Sequence, residues 1–185
     1  MAVLKSLTNL LEKHKVKYEV IDHKKTYTAL DTAETQHLKP QEIVKTLVIK
    51  LDARKYILAL IPSNKNLNKV KLKKEVNKWL KKEEQKTIKT VEFAKEVWMK
   101  KNLKGKLGAT PPFGSLMKLP TFVDQILLRQ KNLIINTGDY QKSIKLATKK
   151  FLEVEKMIKG SFSEAKKKIK KVRKTKSKKR KIKNK

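Results

Sequence analysis

The sequence contains no cysteine among its 185 residues, and this absence removes several kinds of chemistry at once. Without cysteine the chain has no disulfide framework, no thiolate metal site and no cysteine nucleophile. Its three histidines are scattered, so we expect neither a structural zinc site nor any other bound metal. A cytoplasmic protein is the default expectation for such a composition.

Long apolar runs and several well-known catalytic motifs are also missing. The longest apolar stretch falls short of the roughly 18 residues of a membrane span, and the first residues, MAVLKSLTNLLEKHK, lack the apolar core of a secretory signal. The chain has no GxxxxGK[ST], GxGxxG, HExxH or GxSxG pattern. Nucleotide hydrolysis, dinucleotide redox chemistry and zinc-peptidase or serine-esterase activity are therefore disfavoured.

Acidic residues are scarce, with 17 Asp and Glu against 49 Lys and Arg and a formal net charge of +32. Such a chain attracts phosphate-rich partners such as nucleic acid. A membrane surface is the other acidic partner, but no lipidation motif supports it. Residues 161–185 hold 14 of the basic residues and one glutamate. We therefore predict a folded domain over residues 1–160 and a lysine-rich, disordered tail over residues 161–185.

The apolar pattern predicts helices and strands in the first third of the chain. Leucines at helical spacing predict a first helix near Leu4–Leu11, and a short strand follows around Tyr18. The segment TALDTAETQHL predicts a second short helix that ends near Pro40. Two apolar, β-branched runs, VKTLVIKL and KYILALIP, predict a hairpin whose second strand is central and covered on both faces.

The rest of the domain alternates between helices and strands without a regular βαβ order. Val70, Val76, Trp79 and Leu80 fit one face of a very basic helix, and Val91–Met99 predicts another with Phe93, Val97 and Trp98 inside. TFVD, NLIIN and SIKLAT predict three strands, and FLEVEKMI predicts a closing helix. The predicted fold class is α+β, a compact single domain with a mixed, mainly antiparallel sheet flanked by helices.

Lys45 is the first candidate functional residue. In the VKTLVIKL strand it shares a face with Leu47 and Ile49, whereas Thr46 and Val48 point the other way. Burying a lysine charge is costly unless the charge is paired. Two interpretations stay open: the side chain extends from a frayed strand end into water, or it is a cation directed into a cleft, where it holds a phosphate or a developing oxyanion.

Two glycine-containing segments are the other candidates. GATPPFG, residues 108–114, is either a rigid loop that presents its amides to a carbonyl or phosphate, or an ordinary surface turn. NTGDY, residues 136–140, predicts a hairpin turn with positive φ at Gly138. Asp139 in that turn either binds a ligand or stabilises the turn itself.

The order of these segments resembles the YbaK/prolyl-tRNA synthetase-associated domain family, the stand-alone relatives of the bacterial prolyl-tRNA synthetase editing insertion. The resemblance runs from about residue 4 to residue 158 and rests most on the VKTL strand with its apolar partner and on the GxxxPFG loop. It implies a YbaK-like fold around a substrate cleft and hydrolysis of the ester that links a wrong amino acid to the 3′ end of a tRNA, chiefly the tRNA for proline. The implied partners are mischarged tRNA and prolyl-tRNA synthetase, and no cofactor is expected.

The resemblance also assigns residues. The essential lysine of the VKTL-like motif is Lys45 here. The loop residues assigned to the aminoacyl pocket are Gly108, Thr110, Pro112, Phe113 and Gly114. Other pocket-forming segments are matched by Tyr27, Thr28, Thr46, Gly138 and Asp139.

An ester attached to a ribose needs little from catalytic side chains, because positioned water and backbone donors can supply much of the chemistry. We expect Lys45 to stay protonated and to act electrostatically, while a neutral-base role would require a strongly depressed pKa. The alternative function is a non-catalytic RNA-binding or translation-associated protein that retains the fold. Deacylation of mischarged tRNA distinguishes the two.

Overall fold

The computed structural model describes residues 3–25, 38–52 and 55–166. Tyr27, Thr28 and almost all of the predicted TALDTAETQHL helix lie outside the described residues, as does the part of the predicted tail from residue 167 onward.

The described residues form four α-helices and ten strands, with two three-residue 3₁₀ helices at Gly114–Leu116 and Leu127–Arg129. The helices are α1 (Lys5–Lys13), α2 (Lys69–Lys82), α3 (Glu96–Asn102) and α4 (Thr148–Val154). The strands are β1 (Tyr18–Asp22), β2 (Val44–Leu51), β3 (Tyr56–Pro62), β4 (Lys65–Leu67), β5 (Val91–Phe93), β6 (Thr121–Asp124), β7 (Asn132–Asn136), β8 (Lys142–Ala147), β9 (Ile158–Gly160) and β10 (Ser163–Ala165).

The largest sheet has the strand order β5-β2-β3-β6-β9, and the β2–β3 hairpin lies at its centre. Residues 57–62 of β3 are all buried, which confirms the predicted central strand. β3 pairs in parallel with β6, and β6 with β9, whereas the other pairs are antiparallel. A second, antiparallel sheet has the order β1-β8-β7, and β10 pairs with β4. The predicted α+β class with a mixed, mainly antiparallel sheet is confirmed.

Apolar side chains cover both faces of the five-stranded sheet. On one face Val48 and Leu60 join a core that includes Leu11 of α1 and the three-stranded sheet. On the other face Ile49 packs with residues of α2 such as Val76. The alternation predicted for β2 is confirmed, because neighbouring residues of the strand enter different cores.

Helix α2 begins where the Asn68 side chain accepts a hydrogen bond from the amide of Lys71 at 2.9 Å, which is a standard N-cap. Its buried residues are Leu72, Val76 and Leu80. The prediction was wrong for Val70, whose side chain is 63% exposed. Leu72 takes the inner position because it lies four residues before Val76 and eight before Leu80, on the same helical face.

The predicted helix over Val91–Met99 was also wrong. Residues Val91–Phe93 form strand β5 against the end of β2, and α3 starts only at Glu96. Phe93 is 51% exposed and Val97 is 81% exposed, so neither is an inner residue. The edge of β2 offers unpaired backbone groups at this point, and pairing them with a short strand outweighs a weak helical pattern.

The C-terminal part of the domain differs from the prediction as well. The closing helix ends at Val154, and the chain continues into β9 and β10. Phe162 is fully buried, and its amide donates to Asp124 Oδ2 at 2.9 Å. Residues 161–166, assigned to the tail from their lysine-rich context, therefore belong to the folded domain.

Candidate functional site

Lys45 is half-buried near the start of β2, where it pairs with Ile61 of β3. Its Nζ donates a hydrogen bond of 2.6 Å to the carbonyl oxygen of Lys65. The side chain thus turns back against the start of β4 and does not extend from a frayed strand end. A single carbonyl satisfies one of the three donors of an ammonium group, so this cation keeps donors for a ligand.

Burial and, to a smaller extent, the positive charge of Lys166 together lower the pKa of Lys45 from 10.5 to about 8. Both causes act against the charged form. An anion beside Lys45 would offset both effects on the pKa, because it would give the ammonium group a negatively charged partner. Ionisable residues with perturbed pKa values cluster at functional sites.

Thr46 points to the opposite face of β2, the face on which Val48 and Phe113 share a core. Its hydroxyl oxygen is buried and has no hydrogen-bond partner among the described residues. A buried hydroxyl without a partner costs about 1–3 kcal/mol. A ligand atom at this position would remove that cost.

The start of the 108–114 loop and the predicted NTGDY turn are joined by hydrogen bonds. The amide of Gly138 donates to the carbonyl of Ala109 at 2.9 Å, and the Asn136 side chain donates to the carbonyl of Gly108 at 3.3 Å. Gly108 and Gly138 have φ values of +80° and +91°, and the positive φ at Gly138 is the one predicted for its turn. The structure therefore brings Gly108, Gly138 and Asp139 into one unit.

Close backbone packing holds this unit together at Gly105. A Cβ on Gly105 would lie 2.5 Å from the Cα of Gly138, which no side chain tolerates. The amide of Lys106 donates to the carbonyl of Gly138 at 2.9 Å. Gly105 was not among the candidates from sequence, although its neighbourhood is rich in glycine and proline.

Asp139 is 6% exposed, and both of its carboxylate oxygens have partners. Lys106 Nζ lies 2.9 Å from Oδ2, and the amide of Gln141 lies 2.9 Å from Oδ1. The hydrogen bond from Lys106 is the main reason why the pKa of Asp139 lies below its ordinary value. Of the two readings of this residue, these contacts favour the one in which it stabilises the turn.

The other end of the loop is held by Glu155, which sequence reasoning missed. Its Oε1 accepts from the amide of Gly114 at 3.0 Å and from the Thr121 hydroxyl at 2.7 Å, and its Oε2 accepts from the amide of Ser115 at 2.9 Å. A Cβ on Gly114 would lie 1.9 Å from the carbonyl oxygen of Leu119. Glycine at 114 is therefore a packing requirement, and its amide already has a partner.

The interior of the loop is buried from Ala109 to Gly114, so it is not an ordinary surface turn. Phe113 is fully buried in the core and packs on Phe151 with ring centroids 5.2 Å apart. Among the described residues, the amides of Thr110 and Phe113 make no hydrogen bond. Prolines occupy the two positions between them, so within the buried residues 109–114 these are the two backbone amides left for a ligand.

A parallel bridge between Ile43 and Ile134 brings the start of β2 beside β7. Lys45 and Asn136 each lie two residues beyond this bridge. The two parallel strands therefore place Lys45 at the same end of the molecule as Asn136, whose side chain binds the carbonyl of Gly108. The faces differ, however: Thr46 shares the face of the loop, while Lys45 lies on the other. Within the described ranges, no hydrogen bond links Lys45 to the 108–114 loop.

The part of the chain that the structure describes contains no group of three or more His, Cys, Asp or Glu residues arranged to hold a metal ion. In the same residues, no helix has the length and apolar character needed to cross a membrane.

Comparison with known proteins gives a family and a fold. Residues 23–154 match the sequence model of the family described as the aminoacyl-tRNA editing domain. The structure is similar to that of hypothetical protein APE2540, with a TM-score of 0.74 and 20% identity over 86% of this chain and 100% of that one. It is also similar to a protein named as a candidate trans-editing enzyme for prolyl tRNA synthetase, with a TM-score of 0.69 and 20% identity over 89% and 100% of the two chains. No curated protein matches the sequence significantly.

Proposed function

Because this chain belongs to the aminoacyl-tRNA editing domain family, we propose that it is a trans-editing aminoacyl-tRNA deacylase. In this proposal it acts in the cytoplasm on mischarged tRNA and hydrolyses the ester between a wrong amino acid and the 3′ end. The observation that carries the proposal is the family match over residues 23–154, which spans both Lys45 and the 108–114 loop. The similarity to a candidate trans-editing enzyme for prolyl tRNA synthetase supports a narrower substrate, the tRNA for proline carrying a small amino acid, with that synthetase as a partner.

The reaction needs an activated water and a place for negative charge. Water adds to the ester carbonyl carbon, and the carbonyl oxygen becomes an oxyanion. The bond from that carbon to the ribose oxygen then breaks, and the ribose oxygen takes up a proton that the water has lost. The products are a free amino acid and an uncharged tRNA. Donors fixed at the position of the oxyanion accelerate such a reaction most.

The amides of Thr110 and Phe113 are the donors that we assign to the oxyanion. Both belong to a buried loop, and the described residues leave both amides without an acceptor. Gly114 takes no part as a donor, because its amide is bound to Glu155. The unpartnered hydroxyl of Thr46 lies on the same face of β2 and is assigned to the aminoacyl group or its ribose.

Lys45 lies on the other face, so we assign its cation to the terminal phosphate of the tRNA and not to the carbonyl. Its half-buried ammonium group binds one carbonyl oxygen and lacks a carboxylate partner among the described residues. A phosphate there would fix the position of the ester over the loop. Fixing the reacting group in this way raises the rate even though the phosphate does not react.

The test is deacylation of a panel of mischarged tRNAs by the wild-type protein and by Lys45→Ala. We expect the Lys45→Ala variant to lose at least about 100-fold in kcat/KM while its circular dichroism stays that of the wild type. Lys145→Ala is the matched control, since it removes one lysine from strand β8, where Nζ lies 3.8 Å from Glu19. Wild-type turnover by Lys45→Ala would remove Lys45 from the site.

The alternative, a non-catalytic RNA-binding protein, draws its support from the net charge of +32 alone. It leaves the buried loop and its two unpartnered amides without a role. Failure of the wild-type protein to deacylate any member of the panel, together with tight tRNA binding, would favour this alternative.

A further inference from the structure

A cavity of about 450 Å³ opens at the far end of the β2–β3 hairpin. Its wall includes Leu51, at the end of β2, and Tyr56, at the start of β3. Leu51 is six residues from Lys45, which corresponds to about 20 Å along a strand at roughly 3.3 Å per residue. The cavity is therefore separate from the candidate deacylation site, and its size falls within the range of about 300–1,000 Å³ typical of ligand pockets.

Three aromatic side chains line this cavity. Tyr56 and Trp98 are stacked in parallel, with ring centroids 3.5 Å apart and an angle of 7° between the planes. Both rings also line a second cavity of about 340 Å³, so the stacked pair forms the wall between the two. Trp79 contributes to the wall of the first cavity and is only partly buried. The two tryptophans of the chain therefore both line this one cavity.

Lysines surround the aromatic wall. Lys55 and Lys118 line the first cavity, and Lys50, Lys95 and Lys101 line the second. The described residues that line these two cavities include no Asp or Glu. Aromatic faces inside a ring of cations form the arrangement that single-stranded nucleic acid requires, because bases stack while phosphates meet positive charge.

Lys118 adds an independent observation. It is exposed and has a φ of +56°, in the left-handed region that a lysine adopts only at a cost. Glycine or asparagine would fit this backbone better. Backbone strain of this kind is concentrated at functional sites, although Lys15 has the same conformation outside the cavity.

We propose that this cavity is a second RNA-contacting site, which takes an unpaired nucleotide with its base against Tyr56, Trp79 or Trp98 and its neighbouring phosphates at Lys55 and Lys118. Lys55 is oriented at the rim by a hydrogen bond of 2.9 Å from its Nζ to Gln85 Oε1. The choice of RNA over other polyanions rests in part on the proposed function. Within that function the site holds an unpaired part of the tRNA while its 3′ end reaches Lys45.

Because both tryptophans line the cavity, the intrinsic fluorescence of the full chain reports directly on its occupant. We expect a short single-stranded oligouridylate to quench this fluorescence, and a duplex RNA or polyglutamate, whose groups cannot stack there, to leave it nearly unchanged. Trp98→Leu should weaken oligouridylate binding about 5- to 150-fold, the usual range for one stacking contact. Trp98→Phe, which keeps an aromatic face, should bind oligouridylate with most of the wild-type affinity.

Two matched lysine variants test the rim. Lys118→Gly removes the cation and relaxes the backbone, so the variant should fold at least as well as the wild type and bind oligouridylate more weakly. Lys15→Gly is its control, because Lys15 is also an exposed lysine with positive φ, of +51°, at the turn between α1 and β1. Equal binding by both variants, or equal quenching by polyglutamate or by anionic lipid vesicles, would overturn the proposal.

The same measurements keep this site distinct from the deacylase proposal. Lys145→Ala should bind oligouridylate as the wild type does, since Lys145 lies in strand β8, outside the cavity. If the protein deacylates no tRNA but oligouridylate quenches its fluorescence, only the deacylase proposal is refuted. If it deacylates tRNA and its fluorescence is not quenched, only the proposal of a second RNA site is refuted.

Discussion

Replacing Glu155 with alanine tests whether the 108–114 loop is a preorganised part of the site. The carboxylate accepts three hydrogen bonds, from the amides of Gly114 and Ser115 and from the hydroxyl of Thr121, at 3.0, 2.9 and 2.7 Å. A hydrogen bond to a charged group contributes about 1.5–3 kcal/mol, and bonds that share one acceptor do not add fully. Glu155 is half-buried, so water replaces part of what is lost. We expect Glu155→Ala to lower the free energy of unfolding by about 3 kcal/mol.

The matched control is Glu153→Ala, two residues earlier. Glu153 is 53% exposed and pairs with Lys150 at 2.6 Å, and an exposed pair of this kind contributes about 0–1 kcal/mol. Both variants change the net charge equally, so their difference isolates the loop contacts. For a protein of this size, 3 kcal/mol lowers Tm by about 6–12 °C, which thermal unfolding followed by circular dichroism measures easily. Deacylation should fall in Glu155→Ala alone. Equal Tm values for the two variants would show that Glu155 does not hold the loop.

Two further predictions concern charge. The pKa of Lys45 is lowered to about 8. If Lys45 acts as a cation, kcat/KM, corrected for spontaneous ester hydrolysis, should fall about tenfold for each pH unit above 8. A rate that rises to a plateau above pH 8 would instead make Lys45 a neutral base. Deleting residues 167–185 removes 13 lysines and arginines, and if about five of them contact phosphates the slope of log K against log salt should become less negative by about 3.5–4.5. The deletion begins at 167 because residues 163–165 form a strand, and an unchanged slope would exclude the tail from RNA binding.

The central hairpin could be predicted because its sequence and its environment agree. VKTLVIKL and KYILALIP are dense in β-branched and apolar residues, and the structure buries them from both sides. The hairpin turn at Gly138 could be predicted for a similar reason, since positive φ is a local demand that glycine meets without cost. In both cases local preference and tertiary packing favour the same structure.

The errors arose where a distant partner decides the outcome. Val91–Phe93 becomes a strand because the end of β2 lacks a neighbour, and nothing near residue 91 indicates this. Phe162 is buried against Asp124 although lysines follow it closely, because one aromatic side chain is enough to anchor a short strand. Glu155 was overlooked because its role depends on residues 41 and 34 positions away, Gly114 and Thr121. Long-range hydrogen bonds of this kind leave no local signal.

The lysines of this chain lie in different surroundings. This difference distinguishes lysines that only attract RNA from lysines that lie beside aromatic side chains in a specific binding site. Most of the 49 basic residues attract RNA through an electrostatic interaction that weakens as the salt concentration rises. Stacking on Tyr56, Trp79 or Trp98 depends little on salt, because it buries aromatic surface and releases few ions. Binding of oligouridylate at high salt should therefore depend on Trp98 more strongly than binding at low salt does. If the loss of affinity in Trp98→Leu disappeared at high salt, charge alone would account for RNA binding.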